Sequence, residues 1–206
     1  MKIITCLQDY ILHSILSTVW YMINFNEHPN AVRILEDGWL LFQQKGYLGV
    51  SIDEICQRCG VTKPTLYYYF HNKENLFVEV LLRRLKGFRA VIEQDGDLQE
   101  RLERIAVVMF DSFKTDYSYL VRDLEHIKHA ENVERIQDAF AAELFVPISR
   151  MMQTAIEYGQ VSGDGRFRAH LFMGIIESYI ARAEEYGMDN ATLAKQLVAF
   201  FLKGAI

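Results

Sequence analysis

One short stretch of the sequence, residues 62–70, gathers side chains that could bind a nucleic acid. Leu66 and Phe70 are four residues apart, so on a helix they would share one side and face inward. The opposite side would carry Pro64, Thr65, Tyr67 and Tyr68, flanked by Lys63 and Tyr69. Phenol rings pack against thymine methyl groups and donate hydrogen bonds to phosphates, and a lysine adds a charge-assisted contact. This combination is typical of a helix that lies in a DNA major groove.

The residues before this stretch have the pattern of a helix-turn-helix, which would hold it at the surface. Ser51 is suited to cap a first helix, and an apolar face follows at positions 52, 55, 56 and 59. Gly60 suits the left-handed end of that helix. Thr62 is suited to cap the second helix, with Pro64 in its first turn. The alternative, in which the tyrosines only pack within the chain, accounts less well for the whole pattern.

The three cysteines, Cys6, Cys56 and Cys59, are few and odd in number, which indicates a reducing compartment. Cys56 and Cys59 have the spacing of a redox pair or of half a zinc site. The sequence offers no second pair, and His71 is the nearby candidate ligand. Both cysteines lie on the apolar face of the first helix, so we expect them to be packed inside the protein. A thiol-sensing role is the alternative.

From about Val32 to Leu81 the sequence resembles the DNA-binding domain of the tetracycline-repressor (TetR) family of transcriptional regulators. The resemblance includes the segments GWLLFQQKGYLGVSIDEI, CGVTKPTLYYYF and HNKENLFVEVL. It implies a sequence-specific regulator in the cytoplasm, a ligand-responsive repressor that binds a near-palindromic operator as a homodimer. The alternative is a helical interaction protein with a TetR-like fold that has lost DNA binding.

The resemblance also implies a role for individual residues of this domain. Ser51 and Thr62 would cap helices and touch phosphates. The base edges would be faced by Lys63, Thr65 and Tyr67. The DNA backbone would be held by Tyr68, Tyr69 and Lys73. Tyr69 stands where histidine is common in the family, and Cys56 and Cys59 stand where alanine is more common.

The predicted fold class is all-α, since the chain has only three prolines and few alternating β-branched runs. Residues 29–75 would form the N-terminal three-helix helix-turn-helix domain. Residues 76–206 would form a C-terminal helical domain for effector binding and dimerisation. Residues 1–28 are apolar but broken by polar residues, so we interpret them as a mis-assigned start or an accessory helix rather than a membrane segment.

The charge distribution separates the same two parts of the chain. Residues 29–88 hold eight Lys and Arg against six Asp and Glu, a net charge of +2, within a chain of net charge −5. Residues 89–206 hold thirteen against nineteen, a net charge of −6. A mildly basic head on an acidic body is expected for a DNA reader, and modest basicity predicts modest non-specific affinity for DNA.

The pattern of the body predicts a connector helix followed by four or five further helices. The connector would run from Lys73 to about Gln94, with a solvated face formed by Arg83, Arg84 and Lys86. A turn is expected at residues 95–97, and Pro147 should kink a long helix over residues 131–159. Gly187 would end the next helix. Asn190 would cap the last one.

The family resemblance implies two further sites in the body. The last two long helices would pair with those of a second copy in a four-helix bundle. The interface candidates are Phe172, Ile176, Tyr179, Ile180, Leu197 and Phe201. An effector pocket would lie between the connector and the central helices, lined by Phe110, Phe113, Tyr117, Tyr119, Met151, Met152, Phe172 and Met173. Plain core packing is the alternative for each of these residues.

The sequence contains no pattern that predicts an enzyme, a cofactor or a catalytic residue. There is no Gly-rich phosphate loop and no G-x-S-x-G elbow. His126 and His129 are three residues apart, a spacing that metal ligands use, but a third supported ligand is not evident. We therefore predict no metal site and no membrane partner. The expected partners are an operator DNA, a second copy of the chain and a small-molecule effector.

Overall fold

A computed structural model describes residues 28–113 and 122–204, which are helical and contain no strand. The N-terminal extension, Tyr117 and Tyr119 lie outside these residues. Ten α-helices follow one another in the described part of the chain: α1 Pro29–Gly49, α2 Ile52–Cys59, α3 Lys63–Phe70, α4 Lys73–Leu85, α5 Phe88–Ile92, α6 Leu98–Ser112, α7 Ala130–Phe140, α8 Val146–Glu157, α9 Gly165–Tyr179 and α10 Asn190–Lys203. The predicted all-α fold is confirmed.

The first three helices form a small head, with α3 held at its surface. The Ser51 hydroxyl caps α2 by accepting a hydrogen bond from the Glu54 backbone N–H at 3.1 Å. Gly60 ends α2 in the left-handed region at φ 65°, as its place in the sequence predicted. Ile55 and Leu66 have no exposed surface and lie in the same core as Phe42 of α1. The core thus fixes which side of α3 faces outward.

The connector is shorter than the sequence suggested, because it divides into two helices. Helix α4 begins at the predicted cap, Asn72, whose side chain accepts from the Asn75 N–H at 2.8 Å. It ends at Leu85, where Lys86 is extended and Gly87 has φ 104°. Helix α5 follows and packs against α6, which buries Phe88 and Ile92.

The long helix predicted over residues 131–159 is divided into α7 and α8 by an irregular turn. Residues Ala141–Phe145 form a π-helical turn between α7 and α8, directly before Pro147. Proline has no N–H to donate to the preceding turn and its ring crowds that turn, and a widened turn relieves this crowding. The irregularity expected at Pro147 therefore takes this form.

The last two helices are organised differently from the prediction. Helix α9 ends at Tyr179, and a 3₁₀ turn, Ala183–Tyr186, follows before Gly187. Asp189, not Asn190, caps α10, because its carboxylate accepts from the Thr192 N–H at 2.7 Å. Helix α10 packs on α6, while α9 packs mainly on α8. Among the described residues, none of the helices has the length and apolar character needed to cross a bilayer.

Candidate nucleic-acid interface and effector cavity

Helix α3 presents the surface that the sequence predicted. Leu66 and Phe70 are buried at 0% and 2% exposure and fix the helix to the core. On the other side Tyr67 is 42% exposed and Tyr68 60% exposed. Lys63 is also exposed, at the N-terminal end of the helix. The structure therefore brings two accessible phenol groups and a cation onto one face, where they could contact bases and phosphates.

Hydroxyl groups mark the helix N-termini beside this face. The Thr62 Oγ1 accepts from the Thr65 backbone N–H at 3.4 Å and lies 2.9 Å from the Thr65 hydroxyl. Ser51 plays the same capping role at the start of α2. All three side chains have a second hydrogen-bonding position, so capping does not prevent a further contact to phosphate.

Lys63 is paired with the preceding helix. Its Nζ lies 2.7 Å from Asp53 Oδ1, and both side chains are largely exposed. The hydrogen bond and the charge of Asp53 raise the pKa of Lys63 above its ordinary value. This ion pair was not anticipated from the sequence, although Asp53 lies in the first turn of α2, where acidic residues are common.

Tyr69 is partly exposed and contacts the residue before α1. Its hydroxyl lies 2.8 Å from His28 Nδ1, and the same nitrogen accepts from the Asn30 N–H at 3.3 Å. Because that nitrogen acts as an acceptor, the tyrosine hydroxyl is the donor. Burial and the nearby Tyr68 raise the pKa of Tyr69. Tyr69 thus links α3 to the start of α1, a contact that the sequence did not reveal.

Lys73 lies over an aromatic ring at the first turn of α4. Its Nζ is 4.5 Å from the centre of the Tyr47 ring, a cation–π distance. Burial lowers the pKa of Lys73, against the opposing effect of Asp123. Asp123 also accepts from the Tyr47 N–H at 2.6 Å. Asp123 therefore ties the last turn of α1 to the body.

Cys56 and Cys59 are packed inside the head, as predicted. They are 8% and 2% exposed and form no disulfide. Burial and then the charge of Asp37 raise the pKa of Cys59 to about 12, and burial raises the pKa of Cys56. Among the described residues no cluster of three or more His, Cys, Asp and Glu side chains is placed to hold a metal ion.

Comparison with known proteins identifies this domain. Residues 34–80 match the model of the family described as "Bacterial regulatory proteins, tetR family". The matched segment contains most of α1, all of α2 and α3, and the first eight of the thirteen residues of α4. These residues are a TetR-family N-terminal domain. The relatives and solved structures that this chain resembles are described as transcriptional regulators.

Two relatives cover the chain to different extents. The HTH-type transcriptional activator FasR of Mycolicibacterium smegmatis is 34% identical over 80 residues, which span 37% of this chain and 36% of FasR. The HTH-type transcriptional regulator YvkB of Bacillus subtilis is 24% identical over 194 residues, 85% of this chain and 97% of YvkB. The stronger identity is thus confined to the matched 80 residues, and the chain covers only about a third of the length of FasR.

Solved structures share the fold over most of the chain. The TetR-family regulator PfmR from Thermus thermophilus has a TM-score of 0.69 at 23% identity, covering 83% of this chain and 97% of PfmR. FadR from Bacillus subtilis, solved with stearoyl-CoA, has a TM-score of 0.67 at 16% identity and covers 85% of this chain and 99% of FadR.

The body contains an apolar cavity of about 210 Å³ between α4, α7 and the residues Phe113 and Leu124, which lie outside the named helices. It is lined by Leu81, Arg84, Leu85, Phe113, Leu124, Ile136, Gln137 and Phe140. Of the residues that the sequence proposed for the pocket, Phe113 lies here. Phe110, Met151, Met152, Phe172 and Met173 are instead buried in the core at 5% exposure or less. Residues of α4 and α7 were missed because their apolar side chains resemble ordinary core positions.

Two arginines at the end of α4 are not a simple solvated face. Arg83 Nε lies 3.0 Å from Glu36 Oε1, and Arg84 pairs with the other oxygen of the same carboxylate. Arg84 also lies over the Trp39 ring at 5.2 Å. Burial alone would raise the pKa of Glu36, but the two guanidinium groups outweigh it and hold that pKa below its ordinary value. Arg83 and Lys86 are exposed, in line with the predicted solvated face, whereas Arg84 is partly buried, and the sequence did not reveal the shared partner Glu36.

Four of the six proposed interface residues are already buried within one chain. Phe172, Ile176, Ile180 and Phe201 have at most 4% exposure. Tyr179 and Leu197 are partly exposed. A side chain that is buried in its own subunit has little surface left to bury against a partner. The apolar residues that remain accessible on the same helices are Phe167, Leu171 and Phe200, at 59%, 39% and 74% exposure.

A buried carboxylate joins α4 to the body. Glu74 is 7% exposed, and its oxygens accept from the His129 N–H and Nδ1, from Asn132 Nδ2, and from the Lys128 N–H, all within 2.8–3.2 Å. Burial raises the pKa of Glu74, but these donors outweigh it and lower that pKa to about 2. His129 therefore has a structural partner.

Proposed function

We propose that the chain is a ligand-responsive transcriptional repressor that binds a near-palindromic DNA operator as a homodimer. The exposed face of α3 carries this proposal, because two tyrosines remain accessible on a helix that Leu66 and Phe70 anchor. The residues proposed to contact DNA are Ser51, Thr62, Lys63, Thr65, Tyr67, Tyr68, Tyr69 and Lys73. The other two parts of the proposal, dimer and effector, rest on separate features.

The chemistry of binding divides between base edges and phosphates. Tyr67 and Thr65 would meet base edges, where an aromatic ring can pack on a thymine methyl group. Lys63 would exchange its exposed partner Asp53 for a phosphate. The hydroxyls of Ser51 and Thr62 would add phosphate contacts at helix N-termini, which favour anions. Phosphate contacts would set the orientation of the head, and the base contacts would set the sequence.

The proposed dimer surface is formed by Phe167, Leu171 and Phe200. Phe167 and Leu171 are four residues apart on α9 and therefore share one of its faces. Three large apolar side chains on two neighbouring helices are costly to leave in water, and a second copy would cover them. A two-fold dimer would present two α3 helices to two half-sites related by the same symmetry.

The proposed effector site is the apolar cavity beside α4. A ligand there would contact the helix that follows directly from the head, so it could favour one arrangement of the heads over another. A small apolar molecule fits the lining. The stearoyl-CoA complex of the structurally similar FadR supports placing acyl compounds first in a screen.

The test of the proposal is selection of bound duplexes from a random DNA pool at near-physiological salt. We expect an inverted repeat to emerge, with half-sites about one helical turn apart. Binding without any motif, which only fades as salt rises, would contradict sequence recognition and favour the interaction-protein alternative.

The tyrosine of α3 gives the sharpest variant for this assay. Tyr67→Ala should weaken binding to the selected site by about 1–3 kcal/mol while leaving the dimer intact. Tyr158→Ala is the matched control, because Tyr158 is 79% exposed at the end of α8, outside the proposed interface with DNA. Equal affinity of the two variants would remove Tyr67 from the proposed site.

The sign of regulation needs its own measurement. FasR is described as an activator, but the match to it spans only 36% of that protein. A reporter gene placed behind the selected operator should fall in expression when the chain is produced. A rise in expression would overturn the repressor assignment and leave DNA recognition intact.

A further inference from the structure

Arg84 stands between the apolar cavity and the head. Its side chain lines the cavity together with Leu81 and Phe113. Its guanidinium lies over the ring of Trp39 and pairs with Glu36, both residues of α1. The side chain of Arg84 therefore borders the space where a ligand would bind, and its guanidinium contacts the longest helix of the head.

The lining of the cavity favours a ligand with an apolar part and an anionic group. Its volume of about 210 Å³ exceeds the roughly 150 Å³ apolar cavity that binds benzene in an engineered protein. Its lining is apolar except for Arg84 and Gln137, and Gln137 is exposed at the rim. A guanidinium next to apolar walls favours a carboxylate, which it can bind through two parallel hydrogen bonds.

We propose that the cavity binds a small amphiphile with an apolar body and a single carboxylate, and that this carboxylate pairs with Arg84 in place of Glu36. This deepens the proposed function and rests on it, since it names the class of the effector and its point of action. The apolar body occupies the space beside Phe113. The head group meets Arg84 where the cavity opens.

The exchange gives the ligand a direct effect on the head. Arg84 is in the last turn of α4, whereas Glu36 is in α1. When the ligand carboxylate takes Arg84, Glu36 keeps only Arg83, whose Nε is 3.0 Å away. One of the two ionic links between these helices is then lost, and the balance between head positions shifts toward those that the remaining contacts allow.

Binding of three eight-carbon probes tests the chemistry directly. Octanoate, 1-octanol and octylamine have the same apolar body and carry a negative, a neutral and a positive head group. Their dissociation constants are measured by titration calorimetry on the full chain at neutral pH, without DNA. We expect octanoate to bind at least tenfold more tightly than 1-octanol, and octylamine to bind most weakly.

Three variants of the chain separate the role of Arg84 from a general loss of charge. Arg84→Gln should weaken octanoate at least tenfold and leave 1-octanol unchanged. Arg83→Gln is the matched control, because Arg83 pairs with the same carboxylate but does not line the cavity. Its affinity for octanoate should equal that of the parent chain. Glu36→Gln removes the competitor and should tighten octanoate several-fold.

The outcomes distinguish this inference from the proposed function. Equal binding of octanoate and 1-octanol, or equal weakening by Arg83→Gln and Arg84→Gln, overturns the Arg84 site. If Arg84→Gln does not fold, Glu36→Gln still tests the site: octanoate that binds this variant no more tightly than the parent chain overturns the Arg84 site. Operator binding is measured separately. An octanoate response that follows Arg84 in a chain that selects no operator would refute the repressor while supporting the carboxylate site.

Discussion

Lys63 Nζ and Asp53 Oδ1 are 2.7 Å apart, so the cation at the start of α3 is held by a carboxylate of α2. The side chains are 51% and 73% exposed, and solvent screens a pair of this kind. A phosphate can therefore replace Asp53 at small cost. The same carboxylate also repels an approaching DNA backbone, which restrains binding to duplexes that offer no base contacts.

Removal of this carboxylate should strengthen non-specific binding. Asp53→Asn leaves Lys63 unpaired and removes a negative charge from the proposed interface, so affinity for a random-sequence duplex should rise several-fold at low salt. Lys63→Gln should weaken that affinity and reduce the salt slope by about one. Fluorescence anisotropy over a range of salt concentrations measures both effects. Asp138→Asn, the same change on an exposed residue of α7, should leave binding unaltered.

Glu74 should make the free energy of unfolding decrease as the pH falls below about 5. Its pKa is lowered to about 2 from an ordinary value near 4.5, so its contribution is complete above about pH 5 and is lost as pH falls toward 2. Glu74→Gln replaces an acceptor by an amide that must turn its NH₂ toward existing donors. We expect a loss of up to about 3 kcal/mol in the free energy of unfolding at pH 7, and a smaller loss at pH 3.

Urea unfolding at pH 7, 5, 4 and 3 measures this difference. Glu79→Gln is the control on the same helix, because Glu79 pairs with Arg135 at a more exposed position. It should cost less than about 1 kcal/mol at pH 7. A cost of Glu74→Gln that stays constant from pH 7 to pH 3 would contradict the lowered pKa.

The head could be predicted from sequence because its signals are local. The spacing of Leu66 and Phe70, the caps Ser51 and Thr62 and the turn at Gly60 each constrain a few neighbouring residues, and all agree. The inward direction of Cys56 and Cys59 follows from the same periodicity. These features needed no knowledge of distant contacts.

The body was harder because its decisive contacts join residues far apart in the chain. Glu36 meets Arg84 across 48 positions, and Glu74 meets His129 across 55. No local pattern distinguishes these charges from a solvated surface. An apolar stripe likewise does not say whether Phe172 packs inside its own subunit or against another, and only the three-dimensional arrangement separates it from the exposed Phe200.

The cysteines of α2 should be unreactive in the folded protein. Both are buried, and the pKa of Cys59 is raised to about 12, so its thiol stays protonated at pH 8. In a Cys6→Ser background, a chromogenic disulfide reagent should label neither site until urea unfolds the chain. Leu48→Cys, at a 66% exposed position, supplies a reactive reference. Native labelling of Cys59 at that reference rate would favour the thiol-sensing alternative.

The turn between α2 and α3 should tolerate only residues that accept the left-handed conformation. Gly60 has φ 65° and ψ 33°, and a Cβ placed there would meet nothing within 4 Å. The cost of Gly60→Ala is therefore backbone strain alone, roughly 1–2 kcal/mol in the free energy of unfolding. Gly60→Asn should cost much less, because asparagine enters this region more readily. Urea unfolding measures the free energy of unfolding of both variants. Equal losses for Gly60→Ala and Gly60→Asn would contradict backbone strain as the cause and indicate a steric clash of the added side chain.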